Sequence, residues 1–354
     1  MKKFVPILVL LLLFAFPLFT LSKISPRANV QGALAAGAQT RERTVRNAKL
    51  EVVKVDVDLI TVDALVLQKN TARVVGDLKQ DDFVVTEDGK KQQVTHFSKD
   101  SLPLSVLLLI DRGGCLDPFS EEVHRAANNA LARLKPADEV AVMSYHDTAE
   151  LLQEFTRDRP LVVEALNRIP PHDENANHCL NKAFYEAADY MQKAGNPVGR
   201  RVIILITGIT RNFDCASGPG GNEAKHAIFE SGSVVCGIVP STGEQRMENG
   251  IITLATRVGG VMHVSSLNVK ELAAETGGEV FEDKPAVLDQ AFSKLIEHLR
   301  GRFSLAFVST NKRRDGSLRK LKIEIVPAAE KARGKLVVKA RRSYIAPKDS
   351  LGGP

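Results

Sequence analysis

The chain has 354 residues, 44% of them apolar, which is ample for a full α/β core and a smaller β unit. Its net charge of +6 is uneven: between Asn311 and Arg342 twelve Lys/Arg stand against three Asp/Glu, leaving a net −3 elsewhere. No aromatic platform accompanies those charges, which with the export signal below argues against nucleic acid and leaves an anionic membrane or envelope polymer as the partner they would suit.

Lys2 and Lys3 precede an uncharged apolar run over 4–21, the pattern of an export signal. A spanning helix needs about 20 such residues and a signal core about 7–15, so the run fits either. Pro6 and Pro17 weaken a spanning helix, and Thr20-Leu21-Ser22 offers a small-x-small cleavage site. Residues 1–22 are therefore read as a signal peptide, with an uncleaved anchor as the alternative. Either way the body is exported, to the periplasm or beyond. Residues 23–48, rich in Ala, Gly, Gln and Arg, read as a flexible linker. Residues 49–98 carry β segments over 51–67 and 83–97, with Asp88-Gly89 as a hairpin-type turn.

The run Leu104-Ser105-Val106-Leu107-Leu108-Leu109-Ile110-Asp111 is apolar on both faces and ends on a carboxylate, followed by Arg112-Gly113-Gly114-Cys115. Such a run suits a central parallel strand covered by helices on both sides. Asp111 then lies at the carboxyl edge of the sheet, where open α/β sheets place ligands and where an acid can hold a hard cation. Helical spacing follows at Val123, Ala126, Ala127, Ala130, Leu131 and Leu134, with Glu121 and Glu122 in the first turn. Strands are expected at 140–145, 201–207 and 234–239, and helices at 161–169, 183–193 and 222–231. The alternation predicts a doubly wound, mostly parallel α/β domain over 99–300. Further strands at 302–308, 319–326 and 335–344, with a turn at Asp315-Gly316, fill 301–346 before a tail at 347–354. They are expected to join the N-terminal strands in a small antiparallel sheet or sandwich. Leu321-Lys322-Ile323-Glu324-Ile325 alternates as a strand whose charges face water, the plainer account of the basic segment.

This order of segments resembles von Willebrand factor A-type domain proteins, and more narrowly the VWFA-related proteins of acidobacteria, over nearly the whole chain beyond the leader. Val55-Asp56-Val57-Asp58 and Leu78-Lys79-Gln80-Asp81-Asp82-Phe83 resemble that family's leading β segment. Leu272-Ala273-Ala274-Glu275-Thr276-Gly277-Gly278 resembles its late helix and turn, and Arg302-Phe303-Ser304-Leu305-Ala306-Phe307 its return strand. The resemblance implies protein–protein or adhesive binding through the upper loops. It also implies a Mg²⁺ site built from an Asp-x-Ser-x-Ser turn, a Thr and a second Asp, all supplying oxygen to a hard ion. Here Asp111 keeps the first position, while Gly113 and Cys115 replace the serines, Lys182 the Thr and Gly208 the second Asp. The implied adhesion site is degenerate, with Asp111 a remnant ligand, and no cofactor is expected, Mg²⁺ included. Asp111 is expected to pair with Lys182 or to accept backbone hydrogen bonds; a site rebuilt from Asp173, Glu174, Thr207 or Asp214 is the alternative.

Cys115, Cys179 and Cys215 fall in three loops that converge on the same edge, and Cys236 in a buried strand. Cys179–Cys215 or Cys115–Cys179 would pin those loops as a disulfide, and reduced thiols are the other reading. His146, His172 and His178 approach the same face and, with Cys179, could form a soft-metal site or a thiol/imidazole pair. No HExxH, CxxC or GxSxG motif occurs, so an enzyme is not expected. Gly218-Pro219-Gly220-Gly221 lacks the Lys-Ser/Thr of a phosphate-binding loop. The sequence thus points to an exported, non-enzymatic binding protein. A structural envelope protein docked through the basic strands is the alternative, with a thiol- or His-based enzyme behind it.

Overall fold

Alternating apolar and polar side chains at both ends of the chain need a shared β core, while the doubly apolar run in the middle needs cover on two faces. The computed structural model describes residues 58–99, 102–170, 177–196, 199–261 and 266–349. The expected signal peptide, the linker and the start of the first β segment lie outside the described residues, as do His172, Asp173 and Glu174. The leading part comprises β1 (Leu59–Gln68), β2 (Phe83–Glu87), β3 (Lys90–Gln92) and β4 (Val94–Ser98). Next come β5 (Leu104–Asp111), α1 (Ser120–Leu131), β6 (Glu139–Tyr145), β7 (Ala149–Thr156), α2 (Arg159–Asn167) and α3 (Leu180–Tyr190). They are followed by β8 (Arg200–Ile206), β9 (Arg211–Phe213), α4 (Gly221–Ser231), β10 (Val234–Pro240) and α5 (Gly243–Val261). After these come β11 (Ser266–Asn268), α6 (Val269–Thr276), β12 (Val280–Asp283) and α7 (Leu288–Arg300). The chain closes with β13 (Phe303–Val308), β14 (Leu318–Ile325), α8 (Pro327–Arg333), β15 (Leu336–Ala340) and β16 (Ser343–Ile345).

The α/β unit is a six-stranded sheet in the order β12-β10-β8-β5-β6-β7, parallel except for β7 at one edge. All eight residues of β5 are buried, and their alternation explains why both faces had to be apolar. Val106, Leu108 and Ile110 join the core under α1, α2 and α7, whereas Leu107 and Leu109 join the core under α3 and α4. β5 is therefore the spine of two cores, and its carboxyl end delivers Asp111 to the sheet's upper edge.

The flanking strands form an antiparallel sandwich of two four-stranded sheets, β15-β1-β13-β4 and β16-β14-β2-β3. Val62, Ala64, Val66, Phe303, Leu305 and Phe307 of one sheet pack on Phe83, Val85, Leu321, Ile323 and Ile325 of the other. Along β14 exposed and buried residues alternate strictly, and outward Lys322 pairs with Glu324 at 2.7 Å, so this stretch of the basic segment is a solvated face. Asp88-Gly89 makes the β2–β3 hairpin, with both residues at positive φ. Asp315-Gly316 does not make a hairpin, because β13 and β14 belong to different sheets. The single strand expected at 335–344 is broken into β15 and β16, one in each sheet.

The two units are tied by a buried arginine. Arg200, at the start of β8, donates from Nε to Asp63 of β1 at 2.8 Å and from its other nitrogens to Leu299 O, Arg302 O and Ser304 Oγ. Its side chain is almost fully enclosed. Asp63→Ala strands that guanidinium, and urea denaturation is expected to show a loss of about 3–5 kcal/mol. A loss under about 1 kcal/mol, the range of an exposed ion pair, would contradict the anchoring role.

Candidate functional site

The β5 carboxylate is completely buried at its side chain, so it needs hydrogen bonds or a positive charge on every face. It has both. Gly113 N donates to Asp111 Oδ1 at 2.8 Å, closing the turn after β5. Tyr145, directly opposite Asp111 in the β5–β6 register, donates its hydroxyl to Oδ2 at 2.9 Å. Thr207, just past β8, donates to the same oxygen at 2.6 Å. His178 supplies the positive charge, with Nδ1 at 2.9 and 3.0 Å from the two carboxylate oxygens.

Each group tunes the other. Burial alone would raise the Asp111 pKa; the hydrogen bond and charge of His178, with the bonds from Thr207 and Gly113, outweigh it and hold the carboxyl below its ordinary range. Burial works against a charged His178, but the bond to Asp111 and its charge prevail, and the His178 pKa is raised. The linkage has a definite sign. His178 contributes stability that is fully present below its unfolded value of 6.5 and fades as pH rises through the folded value. The Asp111 contribution is present above 3.8 and is lost as pH falls through its lower folded value.

His178 precedes α3 and is held from three directions. Asn212 Nδ2 of β9 donates to its carbonyl at 3.0 Å, and Cys179 N donates to His146 O at 3.0 Å. Cys179 and Cys215 form a disulfide that ties this loop to the one after β9. The imidazole lies across Gly113: a Cβ at that position would come within 2.4 Å of the ring. Gly208 is constrained in the same way, since a Cβ there would sit 2.9 Å from both the backbone oxygen and the Cβ of Cys115. Gly208 N donates to Cys115 Sγ at 3.1 Å. Burial and the neighbouring Asp111 push the Cys115 thiol well above its usual range, which keeps it protonated.

The residues present do not fit Mg²⁺. That ion needs several oxygen ligands in near-octahedral geometry, but Gly113 and Gly208 offer none and Cys115 offers sulfur. The hydroxyls of Thr207 and Tyr145 spend their protons on Asp111, and His178 Nδ1 engages both carboxylate oxygens. Donor atoms of Asp111, Cys115 and His178 lie within 4.8 Å of one another, a set suited to a softer ion. Such an ion would have to displace His178 from Asp111 and the proton from Cys115.

The expected Asp111–Lys182 pair does not form. Lys182 lies in the first turn of α3 with its aliphatic chain against Gly218, and His178 takes the place at Asp111 instead. Asp214 is also elsewhere: its Oδ2 accepts from Gly221 N at 2.6 Å at the start of α4. With Glu223 accepting from Gly220 N at 2.8 Å, carboxylates already cap that helix N-terminus, so the glycine-rich loop is no anion cradle. Of the candidates for a rebuilt site, Thr207 reaches Asp111. Tyr145 was missed because it reads as an ordinary strand residue; its register opposite Asp111 was the available signal. The sequence groups His146, His172 and His178 with Cys179 as a soft-metal site or a thiol/imidazole pair, but the Cys179 sulfur is in the disulfide with Cys215.

Within the α/β unit, residues 106–210 match the family model described as von Willebrand factor type A domain. No curated protein matches the chain. Among solved structures, proximal thread matrix protein 1 from the mussel byssus is similar at 10% identity and a TM-score of 0.41, over 57% of this chain and 49% of that one. The chain thus spans about half the length of the mussel protein. An aerotolerance-related membrane protein from Bacteroides fragilis is similar at 16% identity and a TM-score of 0.38, over 55% of this chain and 98% of that one. A von Willebrand factor type A structure from Catenulispora acidiphila is similar at 10% identity and a TM-score of 0.39, over 83% of this chain and 75% of that one.

The contact between Gly113 and His178 yields a double-mutant cycle. Gly113→Ala forces the imidazole off Asp111 and is expected to cost about 1–3 kcal/mol of unfolding free energy. In a His178→Ala background the clash with the ring is absent, and the cost of the same substitution should fall by at least about 1 kcal/mol. Equal costs in both backgrounds would show that His178 does not lie over Gly113.

Proposed function

We propose that this chain is an exported, non-enzymatic binding protein that docks a protein partner on the upper edge of its A-type domain without Mg²⁺. The observation that carries the reading is His178 Nδ1 hydrogen-bonded to both oxygens of Asp111. The imidazole supplies the positive charge a divalent ion would otherwise bring, so the loops are organised by the chain itself. Nδ1 is committed to Asp111, and the ring remains partly exposed. His178 Nε2 has no protein partner among the described residues and is the donor left for a carboxylate of the partner.

An apolar surface adjoins this point. On α5, Met247, Ile251, Leu254 and Val258 are each more than half exposed, at a spacing that puts them on one helix face. α5 packs beside β9, where Arg211 Nη1 donates to Thr256 Oγ1 at 3.5 Å and Asn212 holds the His178 carbonyl. Monomeric proteins seldom leave such a stripe to water, and an apolar patch beside a buried-anchored charge suits a protein partner.

Export is supported by Lys2, Lys3 and the apolar run over 4–21, and by the Cys179–Cys215 disulfide, which persists in oxidising compartments. Among the described residues no helix is long and apolar enough to cross a membrane. The non-enzymatic reading rests on the cysteines: Cys179 is consumed in the disulfide and the Cys115 thiol is held protonated.

The test is affinity capture from the envelope fraction, repeated in excess EDTA and in excess Mg²⁺. The captured partner is expected to bind equally in both, to weaken with His178→Ala, and to be lost when Met247, Ile251 and Leu254 are changed to Ser. Binding abolished by EDTA and restored by Mg²⁺ would overturn the metal-independent reading.

A further inference from the structure

At the opposite, amino-terminal edge of the sheet, a groove runs along the seam between the α/β unit and the sandwich. It consists of two adjoining cavities of about 540 and 650 Å³ that share Thr61, Arg201, Gly232 and Arg341. Arg201 is the second residue of β8, Arg341 follows β15, and Thr61 comes from β1. Three distant stretches of chain thus converge there.

The charge in this groove is unbalanced. Arg201 Nη1 donates to Ser231 O at 3.0 Å and Arg341 Nη2 to Gly232 O at 2.6 Å, so two guanidinium groups grip consecutive carbonyls at the end of α4. Capping the helix explains one donor on each and no more. Among the described residues neither arginine makes an ion pair with a carboxylate. The two acids that line the groove are engaged by others: Asp63 by Arg200 and Ser304, and Glu230 by His226 at 3.5 Å. None of the remaining nitrogens of Arg201 or Arg341 is among the buried polar atoms left without a partner, and both residues line the two cavities. Each guanidinium gives one terminal nitrogen to a carbonyl at the same helix end and neither is ion-paired among the described residues, while Asp63 on the same lining is engaged by Arg200; two such groups suit a tetrahedral oxyanion.

We propose that this groove is a binding site for a phosphate group, clasped between Arg201 and Arg341. The phosphate is either free in solution or displayed on a lipid headgroup, and the chemistry at the arginines is the same for both. The site is independent of the upper edge, since Asp111 and His178 lie at the other end of the strands.

The experiment uses the full chain, with inorganic phosphate as one probe and phosphatidylglycerol vesicles in phosphatidylcholine as the other. Calorimetry and thermal shift are run at constant ionic strength against chloride. Saturable binding is expected with at least one probe, weakened tenfold or more by Arg201→Gln and by Arg341→Gln. Thr61→Glu, which adds a negative charge at the exposed rim and removes no helix cap, should abolish binding even if the arginine variants fold poorly. Lys320→Gln, outside the groove, should leave it intact. Binding of phosphate identifies a free anion, and binding of vesicles alone identifies a headgroup. No saturable binding of either, or binding that survives Thr61→Glu, would overturn the proposal.

Discussion

The contact between Asp111 and His178 governs the upper edge of this domain. A carboxylate at the carboxyl end of a buried central strand cannot remain there alone, because its charge has lost water on every side. Gly113, Tyr145 and Thr207 satisfy its oxygens by hydrogen bonding, but none brings a positive charge. His178 does, from a loop that folds across the turn after β5.

Several features of the upper edge accompany that contact. A side chain at 113 would strike the imidazole, and one at 208 would strike Cys115, so both positions call for glycine. Cys115 fills the space between the β5 turn and the loop after β8 and accepts from Gly208 N. The Cys179–Cys215 bridge holds the residue next to His178, so the covalent link and the ion pair stabilise the same loops. An imidazole, a thiol and a disulfide hold these loops by packing and bonding.

Much of the fold was legible because burial dictates pattern. β5 could be read from an unbroken apolar run, and the sandwich from alternating strands at both ends, since each pattern has one economical way to hide its apolar side chains. β7 was not legible: its exposed and half-buried residues follow no clean alternation at the sheet edge. α5 was missed too, and its apolar stripe faces outward, so a core-seeking reading has no use for it. At the site, Asp111 declared itself by position. His178 did not, because a loop residue carries no periodicity, and what places it is a tertiary closure through Asn212 and the disulfide. Lys182 sat at the expected alignment position, but the first turn of α3 directs it along Gly218 rather than toward the carboxylate.

The most direct measurement is an NMR titration of the His178 imidazole, with and without millimolar Mg²⁺. A positive charge held against a buried carboxylate should titrate above 6.5, the ordinary histidine value. It should fall back toward that value in Asp111→Asn and stay unchanged when Mg²⁺ is added. A His178 that titrates at or below 6.5, or one driven off Asp111 by Mg²⁺, would contradict the account.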